Sequence, residues 1–296
     1  MHIPVLQKEV LQYLDPGPNE NFVDCTIDGG GHALSILEKT KPGGKLLGID
    51  LDKSQISNLK SQISKWRLDG RLILANDNFA DLKEIVKKNI FGNISGILLD
   101  LGYSSWHLEG SKRGFSFQKN EILDMRYNPE SELSAYRIVN SWPKDSIEKI
   151  LTEYGEEKFA KTISKNIVEE RRKRPIKTTF DIVAVVKRSV PGWYQHKKIH
   201  FATRTFQALR IAVNDELNNL ERTLPQALEI MMNGGKLLII SFHSLEDRIV
   251  KNFLRIKSKE NKLKVLTKKP IKPSQEEIRI NPRARSAKMR SAIKVK

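Results

Sequence analysis

The sequence predicts an α/β protein with a mostly parallel sheet, helices on both faces and an inserted all-helical domain. Three observations carry this. Strand-like and helix-like segments alternate through the first 110 residues. Residues 118–190 then show helical periodicity without strands. A strand pattern returns at Lys236-Leu237-Leu238-Ile239-Ile240-Ser241, just after Gly234-Gly235. Strands separated by helices pair in parallel, because each crossover must carry the chain back along the sheet.

Taken in order, strands are expected at 21–27, 45–50, 71–76 and 94–100, where apolar runs are bounded by glycine, asparagine or aspartate. Helices are expected between them at 32–40, 53–65 and 80–90. In the insertion the helical stretches are 146–154, 156–172 and 179–190, with Asn128-Pro129 and Arg174-Pro175 as punctuation. The expected organisation is a core of residues 1–115, a helical insertion of 116–200, and a second core part of 201–296 with a basic end.

Composition narrows the class. With 296 residues, 39% hydrophobic and 29% charged, the chain suits a soluble globular protein. Cys25 is the only cysteine, so an internal disulfide and a cysteine-based zinc cluster are excluded. Its place within the first strand makes it a small core residue rather than a nucleophile. No metal site is expected. No apolar run approaches the roughly 20 residues of a membrane span, and the start lacks signal-peptide character, so a cytoplasmic location is expected. The net charge of +17 is uneven: residues 1–110 carry −2 and residues 249–296 carry +13. A basic region beside a near-neutral one points to a polyanionic partner, most simply a nucleic acid.

The first strand runs into Asp28-Gly29-Gly30-Gly31-His32, and a second strand ends on Asp50 about 20 residues on. A glycine turn lets backbone approach a ligand, and a carboxylate at that spacing accepts two ribose hydroxyls. The nicotinamide fingerprint is not met, since its third glycine position falls on Leu34, and no phosphate-loop Gly-Lys-Ser/Thr follows. A nucleoside without phosphates remains, and S-adenosylmethionine is the common one. The fourth strand ends in Asp100, at the sheet edge where ligands of open α/β sheets bind. A carboxylate there can accept the N–H of an aromatic amine and assist its methylation. A helix cap or a purely cofactor-binding role for Asp100 stays open.

Motifs along nearly the whole chain resemble those of the bacterial ribosomal RNA small-subunit methyltransferase H (MraW) family. They are His2-Ile3-Pro4-Val5-Leu6, the turn from Asp24 to His32, Leu98-Leu99-Asp100-Leu101-Gly102 and Arg113-Gly114-Phe115-Ser116-Phe117. Leu123-Asp124-Met125-Arg126, Tyr154-Gly155-Glu156-Glu157 and the run from Ala202 to Ile211 follow. Ser241 to Arg248 and Asn281 to Lys288 complete the set. The resemblance implies a class I, Rossmann-like methyltransferase fold and S-adenosylmethionine as cofactor. It implies methylation of the exocyclic N4 of a cytidine in 16S ribosomal RNA near the decoding centre, within the small subunit. The family's cofactor contacts would fall on Gly30, Gly31, His32, Asp50, Phe79, Asp100 and His107. Three positions depart from the family pattern. Asp28 stands in a glycine's place, Trp106-His107 replaces proline-glutamine, and Asn120-Glu121-Ile122 replaces aspartate-glycine-proline. Two alternatives stand beside this reading: a methyltransferase with another amine acceptor, and a non-catalytic RNA-binding assembly factor.

Other side chains have more than one reading. Tyr103, Trp106, Phe115 and Phe117 could stack a splayed-out base or fill a core. Arg113 could meet the target's phosphate. Arg283, Arg285, Lys288 and Arg290 are phosphate-contact candidates, as are Arg171-Arg172-Lys173-Arg174. His243 suits a substrate pocket or a structural role. His196 and His200 have helical metal spacing, but with lysines between them they read as solvated or RNA-facing.

Overall fold

The computed structural model describes residues 4–102 and 105–295. Its sheet has seven strands: β1 (Asn21–Asp24), β2 (Leu46–Asp50), β3 (Leu72–Asn76), β4 (Ile94–Asp100), β5 (Met231–Ser241), β6 (Leu263–Val265) and β7 (Lys288–Lys294). Their order is β3-β2-β1-β4-β5-β7-β6. The first five are parallel, and β7 runs antiparallel to both β5 and β6. This is the mostly parallel, Rossmann-like sheet that the sequence predicts.

Period-two alternation sorts the side chains to the two faces. Val23, Leu47, Ile49, Ile97, Leu99, Leu237 and Ile239 enter one buried cluster. Phe22, Leu46, Leu98, Leu238 and Ile240 enter the other. Both faces are covered, as a parallel sheet requires. From β1 the chain builds outward to β2 and β3 on one side, then crosses to β4 and β5 on the other. That reversal opens a crevice at the carboxyl ends of the strands. Asp24, Asp50 and Asp100 each close a strand at that end.

Two compact units result. One takes the chain up to Gly102 and again from Leu217; the other extends to Glu216. These limits differ from the expected 115 and 200. Phe115, Leu123 and Met125 pack into the helical cluster, and so do Phe206, Leu209 and Val213 of the helix Thr203–Asn214. An amphipathic helix shows in sequence that it has an apolar face, but not which core receives it. The next helix, Glu216–Ile230, gives Leu220, Leu224 and Ala227 to the sheet's core. The helical unit also contains Ala135–Ser141, Lys144–Glu153, Ala160–Lys173 and Thr179–Ser189. The last starts with a capping box between Thr178 and Asp181. No helix of the described residues is long and apolar enough to cross a membrane.

Candidate active site

The glycine turn is built from β1 outward. Asp28 follows with a left-handed backbone, φ 46°, and Gly30 with φ 79°. A glycine at position 28 would adopt this without cost; aspartate is one of the few other residues that do so readily. Gly30 caps the helix Gly31–Lys39, and no side chain closes that helix start. Its first-turn N–H groups are therefore left without a side-chain cap, the condition under which a helix start can receive an anion. Gly31 has a different reason to be glycine, since a Cβ there would stand 2.5 Å from Cγ of Pro4.

Asp50 is held rigidly. Its Oδ2 accepts the Asp28 N–H at 3.0 Å, and its Oδ1 accepts the Asp52 N–H at 2.8 Å. The turn and the second strand are thus clamped through one carboxylate at the end of β2. Phe79 begins the short 3-10 helix after β3 and is half-buried beside that core. The Thr223 hydroxyl lies 3.1 Å from the Phe79 carbonyl oxygen and 2.6 Å from that of Asn219.

Asp100 and His32 meet at the centre. Nε2 of His32 lies 3.4 Å from Oδ2 of Asp100, an ion-pair separation longer than a good hydrogen bond. Oδ1 of Asp100 is buried and has no hydrogen-bond partner among the described residues. Burial pulls the His32 pKa down, but the Asp100 contact and charge, helped by Asp24 and Glu277, raise it above the ordinary value. Behind them, Asp24 is buried, and loss of solvent pushes its pKa up to about 6 against the pull of His32. Asp24 Oδ1 accepts the Thr26 N–H at 3.1 Å, and the Thr26 hydroxyl accepts the Asp100 N–H at 2.7 Å. Sequence reading missed Asp24 and Thr26, because the strand expected at 21–27 placed both within it rather than at its end.

Gly30, Gly31, His32, Asp50, Phe79 and Asp100 therefore all belong to the sheet unit. They fit a nucleoside cofactor: a left-handed turn leading into a helix start without a side-chain cap, an anchored carboxylate, and a buried oxygen with no partner among the described residues. His107, the remaining candidate, belongs to the helical unit. There its buried ring packs against Phe115 and Tyr127, each 5.0 Å away between centroids.

A family model, the MraW methylase family, matches residues 1–295. The chain belongs to the MraW methylase family. Among its relatives, proteins named ribosomal RNA small subunit methyltransferase H are closely similar. That of Heliobacterium mobile is 43% identical, covering 99% of both chains. That of Sulfurihydrogenibium azorense is 47% identical, covering 98% of both. That of Clostridioides difficile is 42% identical, covering 99% of both.

Several other candidates take structural roles. Phe115 stacks on Tyr127, and Phe117 lies flat on His200 at 4.4 Å, so both rings are packed within the helical unit. Trp106 is exposed; Tyr103 lies outside the described residues, as do His2 and Ile3. Arg113 donates to the carbonyls of Arg126 and Tyr127 at 3.0 and 2.8 Å. Arg171 donates to those of Val139 and Trp142 at 3.0 and 2.7 Å. Arg172, Lys173 and Arg174 are exposed, and Arg174 pairs with Glu170 and Asp181. His243 caps the helix Ser244–Lys259 in a reciprocal box with Glu246. The C-terminal four divide. Arg283 and Arg285 are exposed, whereas Arg290 is buried and its Nε donates to Asp247 at 2.7 Å. Nζ of Lys288 lies 3.6 Å from the same carboxylate. Arg290 is a sheet residue that completes an ion pair rather than a phosphate contact.

Proposed function

We propose that this protein is an S-adenosylmethionine-dependent methyltransferase acting on the exocyclic N4 of a cytidine in the decoding region of 16S ribosomal RNA, within the small subunit. The observation that supports this best is the buried Oδ1 of Asp100, which has no hydrogen-bond partner among the described residues. A carboxylate oxygen left so in a native fold awaits a donor from a ligand, and a base amino group is such a donor.

S-adenosylmethionine, when bound, supplies an electrophilic methyl group. The chain's own groups do the rest. The N–H groups at the start of Gly31–Lys39 receive a carboxylate. Asp50, pre-set by two backbone N–H bonds, accepts the ribose hydroxyls. Phe79 offers an apolar face to adenine. Asp100 accepts an N–H of the cytosine amine, whose lone pair is otherwise drawn into the ring. That bond fixes the amine's orientation and raises electron density on nitrogen. The Asp100 carboxylate raises the His32 pKa, which favours positive charge on the imidazole beside it. Asp100, once it accepts that N–H, can take the proton the amine gives up as the methyl group leaves the sulfonium.

Calorimetry of the full chain with S-adenosylmethionine tests cofactor binding. Mapping the methylated nucleotides of ribosomal RNA in cells with and without the gene tests the acceptor. Loss of one N4-methyl group from a 16S cytidine is the expected result. An unchanged methylation map, with cofactor bound, would move the acceptor elsewhere. No cofactor binding by the folded protein would favour a non-catalytic RNA-binding factor.

A further inference from the structure

The helical unit carries an aromatic surface that methyl transfer does not use. Trp193 sits in the short helix Gly192–Gln195 and is 59% exposed. A large aromatic ring is left in water even though a packed core lies directly behind it. Phe159 meets its ring edge-on at 6.0 Å, and Tyr194 stands perpendicular to it at 5.7 Å. Tyr194 is itself anchored, its hydroxyl donating to the buried Glu157 carboxylate at 2.9 Å. Nζ of Lys197 stands 4.7 Å from the Trp193 ring centroid. The indole is therefore exposed and rigidly backed.

The charge around it is mostly of one sign. His196, Lys197 and Lys198 are exposed in succession, and exposed Lys158 precedes Phe159. Gln195 Nε2 donates to the carbonyl of Lys187 at 3.0 Å, which brings another exposed lysine to this segment. The acid in contact with the aromatic cluster, Glu157, is turned inward onto Tyr194. Exposed Glu156 lies beside the cluster, and its carbonyl accepts from the Arg204 guanidinium.

We propose that this surface is a contact for single-stranded RNA. Trp193 stacks an unpaired base, and Lys197 and Lys198 meet the flanking phosphates. This rests on the reading of the substrate as ribosomal RNA. A rigid exposed aromatic ring amid lysines is how single strands are held, because every base has a π-face and every linkage a charge. A-form duplex hides those faces, so the surface selects unpaired nucleotides. With Lys197 over the indole, its solvent-facing remainder is what a base meets, and the cation adds to the stack.

The test uses the full chain, a fluorescein-labelled single-stranded RNA of about 12 nucleotides and the same sequence as a duplex, titrated at several salt concentrations. Trp193→Ala should bind the single strand about tenfold to a hundredfold more weakly, with the salt slope unchanged. Trp193→Phe should retain most of the affinity. Lys197→Ala/Lys198→Ala should lower the slope of log affinity against log salt by about 1.4. Thermal melts show that each variant is folded, and calorimetry with S-adenosylmethionine reads the other unit's reading separately. Unchanged RNA affinity and slope in all three variants would overturn the inference, whether or not the cofactor binds. So would an equal loss on duplex, or no binding of single strands by the unaltered chain. Absent cofactor binding would overturn the methyltransferase reading, while the RNA titration would still judge Trp193.

Discussion

His32 Nε2 stands 3.4 Å from Oδ2 of Asp100, while the other oxygen of that carboxylate is buried without a partner among the described residues. One oxygen lies beside the imidazole, and the other is the acceptor proposed for the cytosine amine. Asp100→Asn keeps the shape and removes the charge. Methyl transfer should fall by about 10²–10³-fold, the usual cost of losing one positioned electrostatic group. The His32 pKa should fall too, because the Asp100 contact and charge outweigh the desolvation that lowers it. Imidazole titration by NMR in both proteins checks this; an unmoved His32 would deny the coupling.

Asp24 gives the site a pH signature in stability. Burial raises its pKa from 3.8 to about 6, so between those values the folded chain holds a proton that the unfolded chain has released. The group's favourable contribution is complete below about pH 4 and is lost as pH rises to about 6. Asp24→Asn keeps an oxygen for the Thr26 N–H and removes the ionisation. Relative to the unaltered protein it should gain stability across that window and level off above it. The gain is about 3 kcal/mol at most, at 1.36 kcal/mol per pKa unit. Urea midpoints of both proteins from pH 4 to pH 7 measure the difference, and a flat difference would contradict it.

The sheet was legible because alternation and strand-end carboxylates are local properties of the chain. Asp50 and Asp100 could be picked out from spacing and strand ends alone. The pairing of Arg290 with Asp247 could not, since 43 residues separate them and only the antiparallel register of β7 on β5 brings that strand beside the helix after β5. For the same reason Arg113 and Arg171 read as surface cations, although backbone carbonyls distant in sequence engage them. Asp24 escaped notice because a buried carboxylate in a strand becomes visible only once its neighbours are placed.

Asp50→Ala tests the clamp on the turn. It removes the carboxylate proposed for the ribose and leaves the Asp28 and Asp52 N–H groups without that acceptor. S-adenosylmethionine should bind at least about tenfold more weakly, since a hydrogen bond to a charged group is worth roughly 1.5–3 kcal/mol. Calorimetry reads the change directly, and equal affinity in the variant would remove Asp50 from the cofactor site.

Gly114 is fixed by geometry in the helical unit. Its φ is 73°, and a Cβ would stand 2.3 Å from the carbonyl oxygen of Ile122. Backbone cannot retreat as a side-chain tip can. Gly114→Ala therefore combines left-handed strain of about 1–2 kcal/mol with overpacking of about 1–3 kcal/mol. The urea midpoint should fall accordingly, with amide exchange accelerating at Glu121 to Met125.

Arg290 and Arg285, five residues apart, should separate structure from binding. Buried Arg290 pairs with half-buried Asp247, and the guanidinium, with Lys288, outweighs desolvation to hold the Asp247 pKa below its ordinary value. That stabilisation is present above the unfolded carboxylate pKa and is lost as pH falls through the lowered one. Arg290→Ala removes the charged donor from a half-buried carboxylate that keeps Lys288 beside it, and should cost about 1.5–3 kcal/mol. Arg285 is exposed. Arg285→Ala should leave the melting temperature within error and reduce the salt slope of RNA binding by about 0.7, one single-strand phosphate contact. Melting and RNA titration of both variants decide the matter. A stable Arg290→Ala with a reduced salt slope would return Arg290 to the RNA surface from which its ion pair removes it.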